Sequence, residues 1–117
     1  MNFYIKQGST DPVLKMRLVD DGSNDKSSFN DILENSTITF EMFDVNTNDY
    51  VILNSPCYIT TRVKKFNQIT DEYYIVYRFN RLHTQNMGRY EGKFNITFED
   101  GNNLIVPIKE KLFINIL

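Results

Sequence analysis

Histidine occurs once in this chain, as His83, and cysteine once, as Cys57, so the residue types behind most acid–base, nucleophilic and metal chemistry are nearly missing. A lone His with no second His and no nearby Cys makes no metal-ligand set. His83 therefore reads as a surface or structural residue beside a loop. Cys57 has no basic neighbour in sequence that would favour its thiolate, so it reads as a small buried hydrophobe. Asp20, Asp21 and Asp25 gather carboxylates as a calcium loop does. They lack the central Gly and terminal Glu of the EF-hand spacing and read as a solvated loop. No carboxylate pair is singled out by its spacing as an acid and a base. Ser9 and Ser55 have no nucleophile-elbow context. Asn35-Ser36-Thr37 and Asn95-Ile96-Thr97 fit the glycosylation sequon by chance, because Met1-Asn2-Phe3 does not open a signal peptide. The expectation is a protein that is not an enzyme and holds neither cofactor nor metal.

What remains is recognition chemistry. Tyr73, Tyr74 and Tyr77, with Arg78, are residues that stack on bases or sugars. An extended chain divides them: Tyr73, Ile75, Tyr77 and Phe79 face one way, and Tyr74, Val76 and Arg78 the other. Tyr74 and Arg78 are the outward candidates. Arg89, Glu91 and Lys93 form a second candidate row, and Phe113 and Leu117 a third.

The elements that position these residues are strands. From Gly88 to Gly101, Tyr90, Gly92, Phe94, Ile96 and Phe98 alternate with Arg89, Glu91, Lys93, Asn95, Thr97 and Glu99, giving one buried face and one wet face. Asp100-Gly101 then supplies the dihedrals of a hairpin. Leu14, Met16 and Leu18 alternate with Lys15, Arg17 and Val19, and Ile38, Phe40 and Met42 with Thr37, Thr39 and Glu41. Further extended runs are Phe3 to Ile5, Tyr50 to Leu53, Tyr58 to Val63, Leu104 to Ile108 and Leu112 to Leu117. Pro56 breaks the chain between two of these runs. Asp20 to Ser28 is a polar loop, and Lys64 to Asp71 the end of a hairpin. Phe29 to Glu34, with Ser28 as cap, is the only helix candidate and supports a single turn. In the last strand, Phe113, Asn115 and Leu117 share one face and Leu112, Ile114 and Ile116 the other. Apolar residues on both faces fit either a central strand of its own sheet or a strand that pairs with a neighbouring protein.

Composition agrees. At 117 residues, 41% hydrophobic and 24% charged, the chain suits one domain, residues 1–117, with one modest core. Alanine is missing altogether. A net charge of −2 leaves no electrostatic footprint for nucleic acid. No apolar run approaches the roughly 20 residues that span a bilayer. Short strands with turn signals and no room for crossover helices mean an all-β antiparallel sandwich or barrel. Asn86-Met87-Gly88-Arg89-Tyr90, a Gly two residues before an inward Tyr, matches the tyrosine corner of immunoglobulin-like sandwiches. The fold expected is an immunoglobulin-like antiparallel β-sandwich with at most one short helical turn.

Taken in order, Ile5 to Asp21 (IKQGSTDPVLKMRLVDD), Ser36 to Met42 (STITFEM) and the closing GRYEGKFNITFEDGNNLIVPIKEKLFINIL resemble the N-terminal domain of phage baseplate upper proteins. That family shares the opening strand, Gly-Ser-Thr turn and Pro, the Gly-x-Tyr strand, the Asp-Gly hairpin and the terminal Ile-x-Ile. The resemblance implies an immunoglobulin-like virion module in the tail, baseplate or neck of a tailed phage, assembled in the bacterial cytoplasm. Its partners would be other virion structural proteins and further copies of itself in a symmetric assembly. The part of larger members that docks receptor-binding proteins has no counterpart among these residues. A head decoration or fibre-anchoring protein of the same fold, or a carbohydrate-binding adhesive domain, are the alternatives.

Overall fold

The structure is a computed structural model and describes residues 1–18, 35–63 and 71–117. The polar loop at Asp20 to Ser28, with its three Asp, the turn at Phe29 to Glu34 and the hairpin end after Lys64 lie outside the described residues, as do the side chains of Leu18 and Tyr73. Among the described residues there are nine strands and no helix. They are β1 (Asn2–Ile5), β2 (Leu14–Leu18), β3 (Thr37–Asp44), β4 (Tyr50–Pro56), β5 (Tyr58–Val63), β6 (Asp71–Tyr77), β7 (Gly88–Thr97), β8 (Asn103–Val106) and β9 (Leu112–Ile116).

The larger sheet runs β1-β9-β7-β3-β4, with β8 also paired to β7. The smaller sheet runs β2-β6-β5. At ten residues, β7 is long enough to take two partners on one edge. Its first half pairs with β9, from Gly88↔Ile116 to Gly92↔Leu112, and its second half with β8, from Phe94↔Val106 to Thr97↔Asn103. The segment 107–111 is thus an excursion between two collinear strands, with Ile108 70% exposed at its crown. Every pair is antiparallel except β1 with β9, which run parallel. The expected all-antiparallel pairing fails there because the partners come from the two ends of the sequence, where no hairpin dictates direction.

The two sheets pack through their inner faces, and alternation decides which side chains enter. Ile38, Phe40 and Met42 of β3 and Tyr90, Phe94 and Ile96 of β7 are buried. From the smaller sheet come Leu14, Met16, Ile75 and Tyr77, followed by Phe79. Phe40 links the layers: its ring centroid lies 4.6 Å from Tyr77 and 4.9 Å from Phe94, with Phe79 edge-on at 6.0 Å. Gly92 makes this possible, since a Cβ there would stand 2.9 Å from the Phe40 ring.

Val76 departs from expectation. It alternates outward yet is 1% exposed, flanked on the central strand β6 by Lys15 of β2 and Tyr58 of β5. Long side chains on both neighbours cover a small one between them. The Pro56 break is as expected. β4 ends at Pro56, and after Cys57 the chain continues as β5 in the other sheet. Proline has no N–H to extend the ladder.

Candidate interaction surface

The outer face of the larger sheet is built on β7. Arg89 is exposed, and its guanidinium carbon lies 3.8 Å from the centroid of the Phe113 ring on β9. In register Arg89 opposes Asn115, so the stacking reaches diagonally across the strands. A contact of this kind contributes about 0.5–1 kcal/mol at an exposed site. Glu91 opposes Phe113 on one side and Phe43 of β3 on the other. Lys93 opposes Glu41, which also accepts a hydrogen bond from the Asn95 side-chain amide at 3.1 Å. The Lys93 ammonium lies 5.6 Å from the Phe43 ring centroid, and that ring in turn contacts Tyr50.

Glu91 corrects the sequence reading. Expected in a solvated row, it is 8% exposed. Alternation assigned its side of the sheet but not its neighbours, and rings on both adjacent strands wall it in. Its carboxylate is compensated by Lys93 and by Lys111 of the 107–111 excursion, each with an N···O distance of 3.7 Å. Both lysines reach solvent, so these pairs are screened and individually modest. The charges on this face are therefore paired with one another, and the surface alternates Arg, Lys and aromatic edges.

The remaining candidates lie apart. Leu117 is exposed, but its backbone is clamped: its N–H donates to the Ile5 carbonyl and its carbonyl accepts from the Gln7 N–H. Both edges of β9 are taken by β1 and β7, which excludes the reading in which this strand pairs with a neighbour. Tyr74 is half-buried on β6, opposite Arg17 and Thr60, rather than an open stacking platform. Arg78 is exposed just past β6 and forms an ion pair with Asp11. The seven residues thus lie apart: Arg89, Glu91, Lys93 and Phe113 come together on the larger sheet, Tyr74 is on β6 of the other sheet with Arg78 just past its end, and Leu117 sits just past β9.

The residues considered for catalysis have structural contacts. The Tyr77 hydroxyl donates to Ser55 Oγ at 2.9 Å and lies 3.3 Å from His83 Nδ1. That nitrogen also accepts the Asn80 backbone N–H at 3.3 Å, which requires it to be unprotonated. Burial holds the His83 pKa below its ordinary value and raises that of Tyr77. The cluster ties β4, β6 and the following turn together. Cys57 is half-buried against the core, and burial pushes its thiol up to about 12, far from the thiolate that nucleophilic chemistry needs. Among the described residues no three His, Cys, Asp or Glu side chains gather as a metal site.

The tyrosine corner is present as a contact. Tyr90 Oη donates to the Asn86 carbonyl at 3.0 Å, and its ring packs beside Gly88, whose φ is +151°. One residue escaped sequence reading: Thr84, fully buried, donates through Oγ1 to the Ser9 carbonyl at 2.9 Å. Its carbonyl accepts the Gly8 N–H, fastening the β6–β7 loop to the β1–β2 connection. A Thr in a polar stretch carries no sign of this role.

The molecule is an all-β protein of two packed sheets, one of which carries a mixed-charge, aromatic-edged outer face. No protein-family model matches the sequence, and no curated protein or solved structure matches it.

Proposed function

We infer that this protein is a non-enzymatic structural module of a tailed-phage virion, an immunoglobulin-like β-sandwich of the tail, baseplate or neck. Its work is to contact other structural proteins, and copies of itself, in a symmetric multi-copy assembly. The observation that carries the reading is the outer face of the larger sheet, where Arg89 stacks on Phe113 and Glu91 is held between Lys93 and Lys111. The face combines Arg with aromatic rings, both of which are enriched in protein–protein interfaces. The Tyr90–Asn86 hydrogen bond supports the immunoglobulin-like assignment. The ordered resemblance of Ile5 to Asp21, Ser36 to Met42 and the closing strands to baseplate upper proteins supplies the virion context.

Mass spectrometry of fractionated particles tests the placement. The protein is expected in tail or baseplate fractions, in several copies per particle. Its absence from purified particles would overturn the reading, and its enrichment on tailless heads would favour the decoration alternative. Arg89→Glu, which reverses an exposed charge of the face, is expected to abolish incorporation while the purified domain keeps its melting temperature to within a few degrees.

A further inference from the structure

The segment from Tyr50 to Thr61 is the longest stretch of the chain without a charged residue, lying between Asp49 and Arg62. It forms β4, the last strand of the larger sheet, and then the first four residues of β5, the last strand of the smaller one, which continues into Arg62. The β4 edge of the sandwich is therefore uncharged along its whole length. Four of its apolar side chains face water: Tyr50 is 55%, Val51 39%, Leu53 61% and Tyr58 52% exposed. Edge strands are ordinarily guarded by charge or kept short. Among the other described edge strands they are: β2 carries Lys15 and Arg17, β5 carries Arg62, β1 and β8 have four residues each, and Lys6 follows β1.

The register decides how a partner could use this edge. Phe43 pairs with Tyr50 and Met42 with Ile52, so β4 carries one extra residue, Val51. Met42 pairs with Ile52 and Phe40 with Ser55, which leaves a second extra residue where Asn54 has φ +53°. Two bulges within one strand interrupt the even spacing of outward N–H and C=O groups, so another strand cannot continue the ladder. They also leave Val51 and Leu53 projecting into solvent. The edge is closed to strand addition and open to side-chain packing.

We propose that this lip is a homotypic contact, in which a second copy of the chain docks across a two-fold axis through Tyr50 and Val51, with Leu53 at the centre. An isologous contact sets each residue's patch against itself, so a charged edge opposes like charges. β2 would bring Lys15 and Arg17 against their own copies, whereas β4 brings none. The inference rests on the multi-copy reading above and names the surface that would serve it.

Sedimentation velocity of the purified chain at rising concentration is the test. Reversible self-association is expected, and Leu53→Lys is expected to weaken it at least about tenfold, as for a central contact residue. Leu53→Glu should do the same, and an equimolar mixture of the two variants should associate again, because opposite charges then meet at the axis. Circular dichroism melts keep folding separate, with Leu53→Ser as a milder substitute if either variant is destabilised. A wild-type chain that stays monomeric at its highest soluble concentration overturns the proposal, as does association that Leu53→Lys leaves unchanged. Failure of the mixture to re-associate overturns the two-fold geometry. A protein found in particles that never self-associates sinks this contact and leaves the structural reading standing; one that self-associates but is missing from particles does the reverse.

Discussion

Replacing Gly92 with Ala sets two physical effects against each other, and the structure says which one wins. Glycine in a strand interior ordinarily costs stability, so by chain entropy alone Gly92→Ala should stabilise by about 0.5–1 kcal/mol. The added Cβ, however, would lie 2.9 Å from both Cε1 and Cζ of Phe40, and 3.5 Å from Ile114 Cδ1. Carbon atoms prefer about 3.5–4.0 Å, so the ring must yield by roughly 0.6–1 Å. It has little room to do so, being fully buried with Tyr77 and Phe94 centroids at 4.6 and 4.9 Å. Overpacking on this scale costs about 1–3 kcal/mol. The net expectation is destabilisation, with a melting temperature lower by about 4 °C per kcal/mol for a domain of this size. Urea titration followed by circular dichroism measures it. Phe40→Leu should lose about 1–3 kcal/mol alone through its cavity. The double variant should cost clearly less than the two single losses combined, because the smaller side chain vacates the space that Cβ needs. A Gly92→Ala protein as stable as the wild type, or more so, would refute the claim that Phe40 occupies the glycine's missing side chain.

Three further outcomes follow from contacts described above. Tyr90→Phe removes the hydrogen bond to the Asn86 carbonyl and is expected to cost about 1 kcal/mol in urea titration; a loss near zero would mean that the corner does not anchor the loop. His83, whose pKa is lowered in the folded state, contributes stability that is complete above its unfolded value of about 6.5 and is lost as pH falls toward the folded value. His83→Gln should therefore flatten the decline in stability as pH falls below about 6.5, and identical slopes for the two proteins would contradict the neutral, hydrogen-bonded imidazole. The Cys57 thiol, pushed up to about 12, should react with iodoacetamide at pH 8 far more slowly in the native protein than in urea, and equal rates would show that it is not held in the protonated form.

Local patterns were legible in the sequence, and relations between distant segments were not. The alternation in β3 and β7 names the buried side chains because a strand has only two sides, and the tyrosine corner spans the few residues from Asn86 to Tyr90. The Asp100-Gly101 hairpin was equally local: the Gly101 N–H donates to the Phe98 carbonyl at 3.0 Å, with Gly101 at φ +91°. Glu91 and Val76 went astray for a shared reason. Burial on an outer face depends on what the adjacent strands carry, and pairing partners are not written into the strand itself. The candidate face was half visible, since Arg89, Glu91, Lys93 and Phe113 were named but their convergence required knowing that β9 lies beside β7. The β1–β9 pair lies beyond any local pattern, as does the bond from Thr84 to Ser9.

The pairing of β1 with β9 also governs when the molecule can fold. Among the described strands β1 has no partner but β9, and β9 also closes the edge of β7 from Gly88 to Gly92. During synthesis the first strand waits, unpaired, until residues 112–116 have left the ribosome. Contacts this distant in sequence make folding slow, and an open sheet edge invites wrong partners in the meantime. The hazardous interval for this sheet therefore falls in the moments before β9 arrives.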